Sequence, residues 1–231
     1  MTEIRLLSYN IRALRDDADA VSDVIRALSP DVVCVQEAPR FMRWRSKRAA
    51  VARRAGMVVA TADRPGGLML MTSLRAKVIS TNFVLLSKRP KLHQRAVCAA
   101  VLEIGGVRWS VASVHLSLSP DERRLHLPEL WAAVDGYDGG ALVVAGDINE
   151  EPQGPVWREL GSRLVDAWEV TKTGSGLTYS ASSPRKRIDA IFVDHDVEVV
   201  ECRVVDDVPG VRAASDHLPL LAVLRAGQSR V

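Results

Sequence analysis

Six times along 231 residues, an apolar run ends on a polar side chain able to bind a metal ion or a phosphate. These ends are Asn10, Glu37, His115, Asp147 with Asn149, Asp189, and Asp216 with His217. Loops at the ends of rigid strands are where binding and catalytic groups concentrate. One such residue means little, because a carboxylate after a strand usually forms a turn or caps a helix. Six together suggest one chemistry.

The pattern between these ends alternates strand and helix. Strand-like runs cover Ile4 to Ile11, Asp31 to Glu37, Met57 to Thr61, Gly67 to Met71, Arg75 to Leu86, Arg95 to Ile104 and Val107 to Leu116. Further runs cover Ala141 to Gly146, Arg187 to Val193, Val197 to Val205 and Leu218 to Leu224. Helical spacing marks Ala18 to Leu28, the basic stretch Arg40 to Arg54, and Pro120 to Val134, and a helix is expected over Pro152 to Leu160 with its proline in the first turn. Gly105-Gly106 suits a hairpin turn. Roughly ten strands and four helices make a mixed α/β chain. Short turns join many of the strands, so two packed sheets with helices outside them fit better than one doubly wound sheet.

At 47% apolar and 26% charged residues the composition is that of a globular chain, not a disordered one. One domain over residues 1–231 is expected, its last few residues forming a tail. No apolar run approaches the ~20 residues of a membrane helix, and Met1 to Arg5 does not read as a signal peptide. Cys34, Cys98 and Cys202 are an odd, scattered set. They describe neither a disulfide framework nor a zinc site, and point to free thiols in a reducing cytoplasm. The net charge of +3 does not make the molecule a polycation.

Magnesium prefers hard oxygen ligands, commonly one or two carboxylates completed by water and substrate. Glu37 and Asp216, helped by the Asn10 amide oxygen, would supply such a half-shell. Phosphoester hydrolysis also needs a group to orient the attacking water and donors for the phosphoryl charge. Asp147 and Asn149 suit the first task, and His217 and His115 the second. A carboxylate commonly holds such a histidine, and Asp189 is a reasonable partner for His217.

The motifs Leu7-Ser8-Tyr9-Asn10-Ile11, Asp31 to Glu37 (DVVCVQE), Ser113-Val114-His115-Leu116, Gly146-Asp147-Ile148-Asn149, Arg187-Ile188-Asp189-Ala190-Ile191 and Ser215-Asp216-His217-Leu218-Pro219 occur in this order. In that order they resemble the deoxyribonuclease I-like endonuclease/exonuclease/phosphatase superfamily. The resemblance implies a four-layer α/β sandwich and divalent-metal-dependent phosphoester hydrolysis, with magnesium as the ion and manganese as an alternative. It implies Glu37 as principal metal ligand, supported by Asn10 and Asp216. It further implies an Asp147-activated water assisted by Asn149, a His217 oriented by Asp189, and a His115 contact to a phosphate oxygen. Thr178 resembles a family threonine near the phosphate. Arg95 stands where the family often carries arginine and reads equally as a phosphate contact or an exposed strand end.

The substrate is less constrained. Arg40 to Arg54 (RFMRWRSKRAAVARR) carries seven basic residues and no acid. It reads as a solvated helix face, or as a guide for a polyanion with Trp44 stacking on a base. Arg185-Lys186-Arg187 lies beside Asp189, and Arg185 and Arg187 are assigned to substrate phosphate on that proximity. The favoured reading is a phosphodiesterase acting on nucleic acid. The alternatives are a small-molecule or lipid head-group phosphatase or phosphodiesterase, and a non-catalytic binding module.

Overall fold

The computed structural model describes residues 1–135 and 140–227. The expected tail, residues 228–231, lies outside the described residues. In chain order the elements are β1 (Thr2–Asn10), α1 (Ala18–Leu28), β2 (Val32–Gln36), α2 (Trp44–Arg54), β3 (Val58–Ala62) and β4 (Met69–Thr72). There follow β5 (Ala76–Leu85), β6 (Ala96–Ile104), β7 (Val107–His115), α3 (Pro120–Val134), β8 (Ala141–Asp147) and α4 (Pro155–Arg163). The chain continues through β9 (Val165–Asp166), α5 (Ala167–Thr171), β10 (Asp189–Val193), β11 (Glu198–Val204), α6 (Val211–Ala214) and β12 (Leu220–Ala226).

The strands form two six-stranded mixed sheets, ordered β11-β12-β1-β2-β4-β3 and β5-β6-β7-β8-β10-β9. Each sheet holds one parallel pair at its centre, β1 with β2 and β7 with β8. Parallel neighbours need a crossover, and α1 and α3 provide the two. Ile4, Leu6, Val32 and Cys34 of one sheet share a core with Leu102, Trp109, Val143 and Ile191 of the other. The outer face of the first sheet packs on α1, α2 and α6 through residues such as Val24, Ile25, Val51 and Val211. The outer face of the second packs on α3 and α4 through Leu130, Val156 and Leu160. These are the four expected layers. No helix among the described residues is long and apolar enough to cross a membrane.

Local chemistry sets the element ends. The Asp17 carboxylate accepts from the Asp19 and Ala20 N–H groups and starts α1. Gly105 and Gly106, both at positive φ, turn β6 into β7. Helix α4 opens at Pro155, not at Pro152. The Glu150 carboxylate accepts from the Val156 and Trp157 N–H groups at 2.7 and 2.9 Å, which places the first turn there. Helix α2 opens at Trp44 instead of Arg40, because Arg43 takes the left-handed conformation at φ 58° and residues 40–43 form a loop. Elements β9, α5 and α6 span at most five residues and are too short to show a period.

One assigned phosphate contact is instead part of this framework. The Arg187 guanidinium is buried, pairs with Asp166 at 2.5 Å and Glu169 at 2.6 Å, and lies over the Trp157 and Trp168 rings. It ties the segment entering β10 to β9 and α5. Burial pushes the Asp166 carboxyl up even beside the guanidinium. Removing one partner of a buried ion pair leaves the other charge uncompensated, at a cost of about 3–5 kcal/mol. Arg187→Met is therefore expected to lower the thermal unfolding midpoint sharply while the folded fraction keeps its KM for substrate. A raised KM with an unchanged midpoint would return Arg187 to the binding site.

Candidate active site

The C-terminal ends of the two parallel pairs point to the same place. Across the second sheet, His115, Asp147 and Asp189 stand in one row, because Asp147 of β8 is in register with His115 of β7 and with Asp189 of β10. Gly146, just before Asp147, lies so close to β7 that a Cβ there would overlap the Val114 carbonyl. From the first sheet, Asn10 ends β1 and Glu37 follows β2.

The Asp147 carboxylate is the centre. Its Oδ2 accepts from Asn10 Nδ2 at 3.1 Å and lies 3.4 Å from His115 Nε2 and 3.8 Å from His217 Nε2. Its Oδ1 accepts from the Asn149 N–H at 2.9 Å, while the Asn149 side chain donates to the Leu116 carbonyl at 3.0 Å. His217 Nδ1 is 2.9 Å from Asp189 Oδ2, and the imidazole lies 4.9 Å from the Tyr179 ring. Ser215 Oγ donates to the Asn10 carbonyl at 2.7 Å and accepts from the His217 N–H at 3.3 Å, tying the last motif to the first.

Burial raises the Asp147 carboxyl, and the negative charge of Asp189 adds to it. His217 and the Asn149 and Asn10 donors pull it back only to about 7. Burial lowers His217, but the charge and hydrogen bond of Asp189, then the charge of Asp147, outweigh it and bring the imidazole to about 9. His115 is held well below its ordinary value by burial first, then by Arg95 and His217. It is neutral at pH 7, so its 3.4 Å approach to Asp147 is not an ion pair.

These groups open into a cavity of about 790 Å³. Seven of the expected site residues line it: Glu37, Arg95, His115, Asp147, Asn149, Asp216 and His217. Asn10 and Asp189 are buried behind it. Arg95 is buried, so the exposed-strand-end reading does not hold, and its Nε has no protein partner among the described residues. Two residues assigned to phosphate lie elsewhere. Thr178 is fully buried, with its N–H on the Lys186 carbonyl and its own carbonyl accepting from Leu218 N–H. Arg185 is exposed and does not line the cavity. Lys186, between the two misassigned arginines, does line it, as do Tyr179, His93, Arg40 and Phe41. The basic triplet contained the signal for Lys186 but not which of its members turns inward. Nothing in the sequence singled out Tyr179 or His93. Trp44 is no free stacking platform, because the Arg45 and Arg48 guanidiniums lie 4.4 and 4.8 Å from its ring centroid.

Two groups of side chains could hold a cation. Glu37 lines the cavity and makes no side-chain hydrogen bond or ion pair among the described residues. Among the described residues the Asp216 side chain is engaged only by Arg12, Nε to Oδ2 at 3.2 Å. Two hard carboxylates lining one cavity fit, in their chemistry, a magnesium half-shell. Asn10 departs from its expected role: its amide oxygen accepts from the Arg12 N–H at 3.1 Å and its NH₂ holds Asp147. Asp147, Asp189 and His217 also offer ligand atoms within 4.8 Å of one another. A proton on His217, shared with Asp189, makes that group a proton-holding row, and a cation there would have to displace it.

Solved structures with the same fold include an endonuclease/exonuclease/phosphatase from Bacteroides vulgatus, at 21% identity and TM-score 0.83, covering 98% of this chain and 100% of that one. A mannosyl-6-phosphatase from Bacteroides thetaiotaomicron matches at 16% identity and TM-score 0.79, over 96% of this chain and 99% of that one. D. rerio TDP2 complexed with single strand DNA product matches at 17% identity and TM-score 0.77, over 98% of this chain and 100% of that one. No curated protein matches in sequence. A profile of the Endonuclease/Exonuclease/phosphatase family matches residues 7–217. That span runs from the first strand-end motif to the last, and with the sheet architecture and the residues gathered around Asp147 it makes this chain a member of the endonuclease/exonuclease/phosphatase family, whose members are phosphoesterase hydrolases.

Proposed function

We propose that the chain is a divalent-metal-dependent phosphoesterase that cleaves a phosphodiester by in-line attack of water, with nucleic acid as its substrate class. The observation that carries this is the convergence on Asp147 Oδ2 of an amide donor from one sheet and two histidines, at 3.1, 3.4 and 3.8 Å. A buried carboxylate raised to about 7 is matched to taking a proton from water near neutrality. Asn149 fixes its orientation through the Oδ1 contact. Protonated His217, held by Asp189, is aimed to neutralise developing phosphoryl charge. Neutral His115 offers one hydrogen bond, and the buried Arg95 guanidinium offers a fixed positive charge.

Glu37 and Asp216 would hold magnesium, or manganese in its place. A bound divalent cation supplies Lewis-acid polarisation of a phosphoryl oxygen. Arg15, Arg40, Lys47 and Lys186 on the cavity walls favour a substrate with more than one phosphate. The likeness to a sugar phosphatase along the whole of both chains supports a second reading, a small-molecule phosphatase. A binding module without catalysis is disfavoured, because the sequence carries a carboxylate or histidine at every position where the family resemblance expects one. The three cysteines are buried free thiols, which supports a reducing, cytoplasmic setting.

Two measurements test this reading. Asp147→Asn keeps the shape and removes the base. Nicking of supercoiled plasmid in magnesium is expected to fall by at least about 10²-fold and to be absent from both proteins in chelator. Retained nicking in the variant would remove Asp147 from the mechanism. The second is a pH profile of kcat/KM. Asp147 is protonated below about 7, so the rate should rise through that value. His217 loses its proton above about 9, so the rate should fall there. Asp189→Asn removes the charge that raises His217, and the alkaline limb should move toward neutrality. An unmoved limb would show that another group sets it.

A further inference from the structure

Two large apolar side chains stand in water at the rim of the same cavity. Phe41 and Leu118 are each 70% exposed, and both line it. Scattered exposed apolar residues are ordinary, but the backbone beneath these two is tied down. The Pro39 carbonyl accepts from Arg48 Nε at 2.9 Å, the Arg40 carbonyl accepts from Arg64 Nε at 3.0 Å, and the Ala38 N–H donates to the Gly67 carbonyl at 2.7 Å. The Ser117 and Leu118 carbonyls accept from Arg123 Nη1 at 2.8 and 3.0 Å. Arg48 and Arg123 are both buried. Arg48 has no carboxylate partner among the described residues and bonds only to backbone carbonyls, while Arg123 pairs with buried Glu150 at 3.0 Å. Burying a guanidinium carries a desolvation cost, and the fold accepts it at both rims.

The two rims come from different sheets. Phe41 follows β2 of the first and Leu118 follows β7 of the second, and the cavity they share holds Asp147 and His217. Loops already held in place need no ordering on binding, and the exposed Phe41 ring offers a flat apolar face. The charge around them narrows the choice. Arg40 and Lys47 line the cavity, and the Arg40 guanidinium lies 5.9 Å from the Phe41 ring centroid. A flat apolar group with an anion beside it is the chemistry of a nucleotide unit. A sugar phosphate lacks the flat face, and an acyl chain would leave the adjacent cations unmatched. Bases inside a duplex stack on each other and have no face to offer.

We propose that Phe41 and Leu118 clamp an unstacked nucleobase beside the reacting phosphodiester, with Arg40 and Lys47 receiving the neighbouring phosphate, so that single-stranded nucleic acid is preferred. The clamp rests on the nucleic-acid reading of the site. It selects substrate and takes no part in the chemical step.

The test compares three DNA probes in magnesium: a short single strand, its duplex, and the same strand with abasic nucleotides flanking the cleaved bond. Each is cleaved by the wild type, Phe41→Ala, Leu118→Ala and Phe41→Trp. Both side chains are exposed, so all variants should unfold at the wild-type temperature, and a thermal scan checks this. The wild type should prefer the intact single strand over both other probes. Phe41→Ala and Leu118→Ala should raise KM for that strand about tenfold, the range of one base–aromatic stack, and close the gap to the abasic strand. Phe41→Trp should restore it. An equal KM on intact and abasic strands for the wild type, a duplex preference, or no KM change in the alanine variants would overturn the clamp and leave the hydrolase reading standing. Failure of the wild type to cleave any of the three probes while it hydrolyses a sugar phosphate or a short-chain phospholipid would overturn the nucleic-acid reading beneath it.

Discussion

A carboxylate at the seam between two sheets has to find its hydrogen bonds there, and the arrangement of the site follows from that need. Asp147 is 2% exposed. Water cannot solvate it fully, so donors must come from protein on every side. Asn10 donates to it from the first sheet and Asn149 from its own loop, while the imidazoles of His115 and His217 stand 3.4 and 3.8 Å away. Each group arrives only if its own strand or loop ends at the right height. The register of β7, β8 and β10 sets three of those heights in one row. The hydrogen bonds that hold Asp147 thereby hold the two sheets in the alignment that forms the cavity. The same burial raises Asp147 to about 7, while the Asp189 charge raises His217 to about 9 against its own burial.

Arginine serves this protein in three distinct settings. Arg187 is buried between two indoles and two carboxylates, and it builds the framework. Arg48 and Arg123 are buried against backbone carbonyls and hold the loops at the cavity rim. Arg95 is buried, makes no ion pair among the described residues and lines the cavity, as does Arg40. A guanidinium satisfied by protein groups is a structural element, and one left facing a cavity attracts an anion. The residue type is the same in every case, and only what surrounds it separates them.

Much of this was readable along the chain. Apolar runs and their ends located nearly every strand of more than a few residues, and helical spacing or an N-terminal proline located α1 and α3. Tyr9-Asn10, Gln36-Glu37, Gly146-Asp147-Ile148-Asn149 and Ser215-Asp216-His217 mark themselves, because a carboxylate, amide or imidazole straight after a buried strand has to emerge at the sheet end. The phosphate contacts that were misread share one cause. Arg185, Lys186 and Arg187 are three consecutive basic residues, and the turn before β10 sends one outward, one into the cavity and one into the core. Thr178 and Tyr179 are likewise adjacent, yet the first is sealed in backbone hydrogen bonds and the second faces His217. In irregular segments no period of two or 3.6 connects position to direction.

The sequence by itself determined the architecture and which polar side chains end the strands around the cavity, since both are written in strand-length patterns and in which residue ends each strand. The tertiary structure decided which cations line the cavity, that Asn10 serves Asp147 with its amide, and where the cavity rim places its exposed apolar side chains. Those outcomes depend on loops, and a loop side chain takes its direction from long-range contacts, such as Arg48 with Pro39 and Arg123 with Leu118, that exist only once both sheets are packed.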